Sequence, residues 1–342
     1  MTVYVLNLLV GFNQNGIDNA QGYREKMFSQ IGLDSKYVFT EFPDMRDIVL
    51  YKNVGIPVNK MINPHLKLTG RDCFKFTDDT ESMIQVIKTN MNVSEIIYVD
   101  NNIQFWKGGY LECEIHALPY DHRYSYEIIY FKENCLIKKD FYSSGIVYSE
   151  FFVTAENEKG SLYAKTVKRT FYETNGMICL EQIGDNYVLV NGRMLNQYEL
   201  LNMFFDLLKL TDKDTLLLDR AYNIKFNEVI FEKRLPCKKI CVIHSGHYFE
   251  PYQCQYALYL SYEYYYWFKY AKYVDLFVVS TESQKIDLVK VLNNFKYDIP
   301  KIKVIPVGAI KNLCVTNDRK INSIITASRL VNEKRVDLII KS

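Results

Sequence analysis

No pair of cysteines stands at the spacing a metal finger needs. Cys73, Cys113, Cys135, Cys179, Cys237, Cys241, Cys254 and Cys314 are scattered with no C-x-x-C, and the closest pair, Cys237 and Cys241, has no histidine at finger distance on either side. A zinc finger and a disulfide scaffold are excluded, and reduced structural thiols in a cytoplasmic protein are expected. An excess of charge of one sign is also lacking: 42 Lys and Arg face 40 Asp and Glu, a net +2. No broad basic surface is available for nucleic acid, so an anionic substrate must be met locally. Long apolar runs are absent too. The richest aromatic stretch, Tyr256 to Tyr273, is interrupted by Glu263, Lys269 and Lys272, and so falls short of the roughly 20 apolar residues of a membrane span. Met1 to Val10 has neither the basic flank nor the small-residue cleavage site of a signal peptide and reads as a buried strand. Internal repeats and low-complexity linkers are missing.

What is present is an ordinary globular balance, 48% apolar and 24% charged in 342 residues. That length suits two domains, or one domain with a large insertion. A strand from Val3 to Val10, a glycine-containing loop, a helix from Asn19 to Gln30 and a strand from Tyr37 to Thr40 give the βαβ rhythm of a parallel, Rossmann-like sheet. Short runs rich in Ile, Val, Tyr and Phe then follow: Glu95 to Val99, Tyr110 to Ala117, Tyr124 to Phe131, Cys135 to Lys139, Ile146 to Val153, Val167 to Tyr172, Met177 to Gln182 and Tyr187 to Val190. Turn signals such as Gly108-Gly109, Glu133-Asn134 and Asn175-Gly176 separate them, which predicts an antiparallel meander.

The βα rhythm returns with a helix from Asn196 to Leu210 and a strand from Thr215 to Leu218. Next come a strand from Ile240 to His244, a helix from Gln253 to Tyr273, a strand from Leu276 to Ser280, a helix from Glu282 to Phe295 and a strand from Ile302 to Ile305. The expected organisation is a discontinuous Rossmann-like domain (1–90 and 191–318) carrying an inserted β-meander domain (91–190). Near the end, a strand from Ser323 to Ser328 and a helix from Arg335 to Lys341 with an apolar stripe of Val336, Ile339 and Ile340 read as the first βα unit of a further domain (319–342), cut off at Ser342.

Several constellations could carry chemistry. Ser328-Arg329-Leu330 with Lys334 puts two cations at a strand end and helix start, where open α/β sheets bind ligands and helix dipoles favour phosphate. An arginine fork with a lysine point charge suits a diphosphate, and two solvated surface cations explain the spacing equally well. Gly11-Phe-Asn-Gln-Asn-Gly16 leads from the first strand into the first helix, so its amides can approach a phosphate, although it departs from G-x-G-x-x-G. His244-Ser-Gly-His247 holds two of the five histidines after a strand, beside Glu250. Zinc is not indicated by that spacing, and a hydrogen-bonded histidine is the plain alternative to a ligand-facing one. Asp212-Lys-Asp214 and Asp78-Asp79 match acidic metal-binding patterns but sit where aspartates cap and turn. Tyr256, Tyr259, Leu260, Trp267 and Tyr270 share a helical face and are assigned to core packing.

Taken in order, one set of residues resembles a known family along essentially the whole chain. It comprises Gly16-Ile-Asp-Asn-Ala-Gln21 with Tyr23-Arg24, Phe141-Tyr-Ser-Ser-Gly-Ile-Val-Tyr-Ser-Glu-Phe-Phe152, Arg169-Thr-Phe-Tyr172 and Leu218-Asp-Arg220. His244-Ser-Gly-His-Tyr248, Val274-Asp-Leu-Phe-Val-Val-Ser-Thr281, Ile305-Pro-Val-Gly308 and Ile325-Thr-Ala-Ser-Arg-Leu330 with Lys334 complete it. The chain is similar to the catalytic subunit of the accessory Sec system glycosyltransferase, which moves N-acetylglucosamine from UDP-GlcNAc to serine and threonine of serine-rich adhesins. Teichoic acid glycosyltransferases share the architecture and are the near alternative; a non-catalytic adhesin-binding subunit is the rival from another class.

The resemblance implies a GT-B fold, retention at the anomeric carbon, no metal, and no cofactor beyond the UDP-GlcNAc donor. It implies Arg329, Lys334 and the amide of Gly16 at the diphosphate, and His244 and His247 on the acceptor side of the cleft. It also implies a serine-rich protein acceptor, a homologous partner subunit bound through the β insertion, and peripheral association with the inner face of the membrane. The family's Glu-x7-Glu donor segment would lie after Ser342, so these 342 residues alone are expected to be inactive. Lys138, Lys139, Lys165, Lys168 and Arg169 in the insertion could form a local basic patch for a polyanionic acceptor.

Overall fold

Helices that bury one stripe and strands rich in β-branched residues need each other's apolar faces, and on either side of the antiparallel meander they find them in one parallel sheet. The computed structural model describes residues 1–8, 16–39, 41–42, 45–50, 54–220, 224–246, 262–308, 324–326, 328, 330 and 332–341. It divides into two units, Met1–Gly308 and Ala309–Ser342.

The first unit opens with β1 (Thr2–Asn7), α1 (Gly16–Gln30), β2 (Asp34–Phe39), α2 (Met45–Leu50), β3 (Met61–Ile62), α3 (Pro64–Leu68) and α4 (Thr80–Met91). Ten antiparallel strands follow: β4 (Glu95–Val99), β5 (Asn102–Lys107), β6 (Tyr110–Leu118), β7 (Asp121–Lys132), β8 (Cys135–Tyr142), β9 (Ile146–Glu156), β10 (Leu162–Tyr172), β11 (Ile178–Ile183), β12 (Asn186–Leu189) and β13 (Met194–Leu195). The unit closes with α5 (Gln197–Leu208), β14 (Thr215–Leu218), α6 (Ile224–Glu232), β15 (Lys238–Val242), α7 (Tyr265–Lys269), β16 (Leu276–Val279), α8 (Glu282–Asn294) and β17 (Lys301–Val304).

The seven-stranded sheet runs β3-β2-β1-β14-β15-β16-β17, every pair parallel. The chain builds outward from β1 in one direction, leaves for the meander, and returns on β1's other side. The strand order therefore reverses between β1 and β14, and in open parallel sheets the crevice at the carboxyl ends of such a pair is where ligands bind.

The meander's strands lie in sequence order. Two of its tight turns have the positive φ at both centres that a right-twisted hairpin prefers: Gly108 and Gly109 at 58° and 84°, Glu133 and Asn134 at 52° and 62°. One core joins the meander's inner end (Phe141, Val147, Tyr148, Phe171, Leu180, Tyr187) to β1, β2 and α2 (Val5, Tyr37, Phe39, Met45, Ile48). Arg71, which is buried, staples the join by donating to the carbonyls of Ser143, Tyr172 and Ile146 at 3.2, 2.8 and 2.8 Å. A separate cluster packs Ile84 and Ile87 of α4 on Ile103, Phe105, Cys113, Ile115 and Ile128.

Between Tyr262 and Tyr273 the predicted long helix is broken into a 3-10 turn (Tyr262–Tyr264), α7 and a second 3-10 turn (Ala271–Tyr273). The local reason is packing: Trp267 and Phe268 are both fully buried, with Trp267 Nε1 donating to Asn227 at 2.9 Å. Tyr270 stacks on Phe231. Of the aromatic stripe, Trp267 is a core residue and Tyr270 packs partly buried against that core, whereas Tyr256, Tyr259 and Leu260 lie outside the described residues.

In the second unit, Asn332–Lys334 forms a 3-10 turn and Val336–Lys341 forms α9. Ile324 to Thr326, where a strand was expected, belong to no strand. A strand needs a hydrogen-bonded neighbour, and the described residues of this unit provide none. No helix among the described residues is long and apolar enough to cross a membrane.

Candidate active site

Three elements bring polar side chains to the crevice between β1 and β14. The first is α1, whose buried residues are Asp18, Gln21, Gly22 and Glu25. A helix that turns a polar stripe inward gains little from burial, so those side chains must each be met by partners. The second is the end of β14, where Asp219 donates its backbone N–H to Leu6 O at 3.1 Å and is itself 0% exposed. The third is the loop after β15, which carries His244.

Asp219 is the centre of the group. Its Oδ2 accepts from Gln21 Nε2 at 2.7 Å and Arg24 Nη1 at 2.9 Å, and its Oδ1 from Arg24 Nη2 at 3.2 Å. His244 Nε2 lies 3.0 Å from the same Oδ1. Burial alone would raise this carboxyl's pKa, but Arg24 and the hydrogen bonds from His244 and Arg24 hold it far below the usual carboxylate range. An ionised carboxylate only accepts, so His244 Nε2 is the donor in this contact and Nδ1 is left to meet other groups. Asn7, the last residue of β1, continues the network by donating to Gln21 Oε1 at 3.0 Å, and Arg220 faces Asp18 at 3.5 Å.

The His244 loop is held from outside as well. Tyr264 Oη meets Ser245 N and Oγ at 3.3 and 3.0 Å, and Gln284 Nε2 donates to the carbonyls of Ile243 and Ser245. Gln284 is fixed by Thr281, the N-cap of α8. Below the crevice, Glu25 is buried with Lys60, Ser35 and Ser29 as partners, which pins α1 to β2. Gly22 lies so close to the next loop that a Cβ would stand 1.8 Å from Val54 O.

Of the sequence candidates, His244 is in this network. Gly16 is the exposed first residue of α1, at its positive end. Lys334 is exposed in the second unit's 3-10 turn. Arg329 and His247 lie outside the described residues. Asp219, Arg24, Gln21 and Asn7 were not singled out as site residues by sequence reasoning. The signal available for them was the polar stripe on α1 and the Asp-Arg pair directly after a four-residue apolar strand.

The acidic motifs have structural work. Asp214 takes Thr2 N at 2.8 Å, Thr211 N at 3.0 Å and Thr211 Oγ1 at 2.8 Å. Asp79 caps α4 through Ser82 N, and Asp78 accepts from Gly145 N at 2.7 Å. The basic patch in the meander is largely neutralised in place: Lys138 pairs with Asp140, Lys139 with Glu127, Lys168 with Glu181 and Arg169 with Glu150. Lys139, Lys168 and Arg169 meet carboxylates on adjacent strands and Lys138 meets one on its own, so these four cations are balanced locally.

A Rossmann-like sheet with a crevice at its switch point, interrupted by an antiparallel β domain, is the architecture of a GT-B glycosyltransferase. The model of the GtfA extended beta-sheet domain matches residues 101–190. The GtfA subunit of the UDP-N-acetylglucosamine–peptide N-acetylglucosaminyltransferase of Streptococcus parasanguinis is 31% identical over 100% of this chain and 68% of its own length. A crystal structure of a GtfA/B complex superposes with a TM-score of 0.83 at 25% identity, covering 100% of this chain and 68% of that one. The pneumococcal O-GlcNAc transferase GtfA in complex with UDP and GlcNAc gives 0.82 at 26%, covering 100% and 67%. The chain belongs to the family of GtfA subunits of UDP-N-acetylglucosamine–peptide N-acetylglucosaminyltransferases.

Proposed function

We propose that this chain is the nucleotide-sugar-dependent subunit that transfers N-acetylglucosamine from UDP-GlcNAc to serine and threonine of a serine-rich protein, with retention at the anomeric carbon. The observation that supports it most is His244 held by a fully buried Asp219 at the carboxyl edge of the sheet, between β1 and β14. With Nε2 committed to Asp219, the His244 ring has Nδ1 left to meet a hydroxyl of the sugar or of the incoming serine.

Departure of UDP puts negative charge on the diphosphate, and one well-aimed donor there contributes about 3 kcal/mol. Arg329, Lys334 and the α1 terminus at Gly16 are our candidates for that task. We place the reaction in the cytoplasm, in keeping with the unpaired thiols of Cys73, Cys113, Cys135, Cys179, Cys237 and Cys241. The meander is our candidate for contact with a homologous partner subunit, by analogy with the GtfA/B complex.

Transfer from UDP-GlcNAc to a serine-rich peptide by the full-length protein tests this reading. Transfer that persists in EDTA is expected, since side-chain cations and helix amides take the metal's part; loss on chelation with recovery on manganese contradicts it. Calorimetry with UDP on the full-length protein separates transferase from binding module: no heat at millimolar nucleotide favours the latter.

A further inference from the structure

Along the same sheet edge, at the β3 end, the start of α3, the start of α5 and the β11–β12 hairpin of the meander enclose a pocket of about 220 Å³. Phe42, Pro64, Leu200 and Leu201 give it apolar walls, while Gln182, Asp185, Tyr187, Gln197 and His65 supply polar groups. His65 is 8% exposed. It stacks on Phe171 with ring centroids 5.1 Å apart and meets Phe42 edge-on. Its Nε2 lies 3.2 Å from Tyr187 Oη, and its Nδ1 has no hydrogen-bond partner. Buried polar atoms left unsatisfied are few in native proteins and each costs about 1–3 kcal/mol, so this one calls for a reason. Of the lining residues, Asp185 is exposed and Gln197 half-buried.

We propose that this pocket binds one uncharged pyranose ring. Its volume is below the roughly 300–1,000 Å³ of sites for drug-sized ligands and suits a single ring. Its chemistry is two-way: the amide of Gln197 and the phenol of Tyr187 each donate and accept, as sugar hydroxyls do. Burial, then the nearby Arg169 charge, push the His65 pKa down to about 3, which keeps the ring neutral. An anion is disfavoured, because Asp185 is acidic and Arg169, over Phe42 at 4.2 Å, is committed to Glu150 and Gln182.

The ring could arrive free or already attached to the acceptor peptide. β1 and β3 are two strand spacings apart, about 10 Å, and an extended peptide covers that in about three residues. A sugar on a residue that near the reacting serine would reach the pocket. Only this question of source rests on the transferase reading; the pocket's class of ligand does not.

The test is NMR of the whole chain with labelled histidine imidazoles. It would be titrated with methyl α-N-acetylglucosaminide, with a serine peptide bearing the same sugar, with the bare peptide, and with glycerol 3-phosphate. Saturable movement of the His65 signals at millimolar sugar is expected, with none from bare peptide or glycerol 3-phosphate. At least tenfold tighter binding of the glycopeptide identifies the attached sugar as the ligand, and equal affinity identifies the free ring; either supports the pocket. Gln197→Trp, at the half-buried rim, should abolish the response and leave UDP binding by the full-length protein unchanged. Gln197→Met and Asp185→Ala, milder changes, should weaken it several-fold. A His65 signal unmoved by both sugars, moved equally by glycerol 3-phosphate, or unaffected by Gln197→Trp overturns the proposal. Absence of UDP binding or transfer would instead sink the transferase reading and leave the pocket standing.

Discussion

The crevice and the meander both bury charge, but they assemble it over different distances along the chain. In the crevice, Asp219 is met by Gln21, 198 residues away, and Arg24, 195 away. In the meander, His116 lies 2.7 Å from Glu114 through Nε2 and 2.7 Å from Glu127 through Nδ1, partners on its own strand and the next. Carboxyl groups this close on both sides favour the charged imidazole, and Lys139 lies 3.3 Å from Glu127. The meander's charges therefore follow from hairpin register. The crevice's follow from a parallel sheet that returns to β1 after a long excursion, and they depend on the whole fold.

Asp219→Ala should break the contrast most severely. It takes a fully buried acceptor away from Gln21, His244 and the partly exposed Arg24, a loss of about 3–5 kcal/mol, read as a lowered midpoint in urea unfolding. A drop of under about 1 kcal/mol would show that the crevice does not depend on this residue. Arg71→Met tests the join between the two regions. It removes a charged donor from the buried carbonyl of Ser143 and the partly buried carbonyls of Tyr172 and Ile146, so about 3 kcal/mol is expected, with hydrogen exchange rising first at the Ser143–Gly145 turn.

Gly22→Ala forces a methyl to within 1.8 Å of a backbone oxygen unless α1 moves. About 1–3 kcal/mol is expected, with the His244 imidazole signals displaced as α1 carries Arg24 with it. Unmoved His244 signals would mean that α1 and the crevice are not coupled.

Proton linkage gives the two buried histidines opposite signs. For His116, burial alone would lower the pKa, but Glu114 and Glu127 raise it from 6.5 to about 9. Its contribution is complete below about pH 6.5 and is lost as pH rises through about 9. His65, pushed down to about 3, contributes above pH 6.5 and loses that contribution as pH falls toward 3. The melting temperature should fall on both sides of the interval, and His116→Gln should flatten the alkaline limb only. At the small end, Lys168→Ala removes a partly exposed cross-strand pair with Glu181 and should cost at most about 1 kcal/mol.

The same contrast governs what the sequence discloses. Thr215–Leu218 and Glu95–Val99 form strands over the residues that their apolar runs predict, and Asn196 begins α5 with a capping box to Glu199, as its pattern suggests. Local signals sufficed there. β5 (Asn102–Lys107) and β13 (Met194–Leu195) were missed, since Gln104 and Lys107 interrupt the first and the second is two residues long. His244 stood out as a histidine after a strand. Asp219 did not, because nothing near it in sequence announces that Gln21 and Arg24 will converge on it. A polar stripe on a helix is the trace that such convergence leaves.

The central claim is that Asp219 and His244 act as one unit in glycosyl transfer. Asp219→Asn, His244→Gln and the double variant, assayed in the full-length protein for transfer from UDP-GlcNAc to a serine-rich peptide, test it directly. Each single change should slow transfer on the order of 10²-fold or more. The double variant should be no slower than the worse single one, as residues acting together are non-additive. Losses that multiply in the double variant would contradict the account.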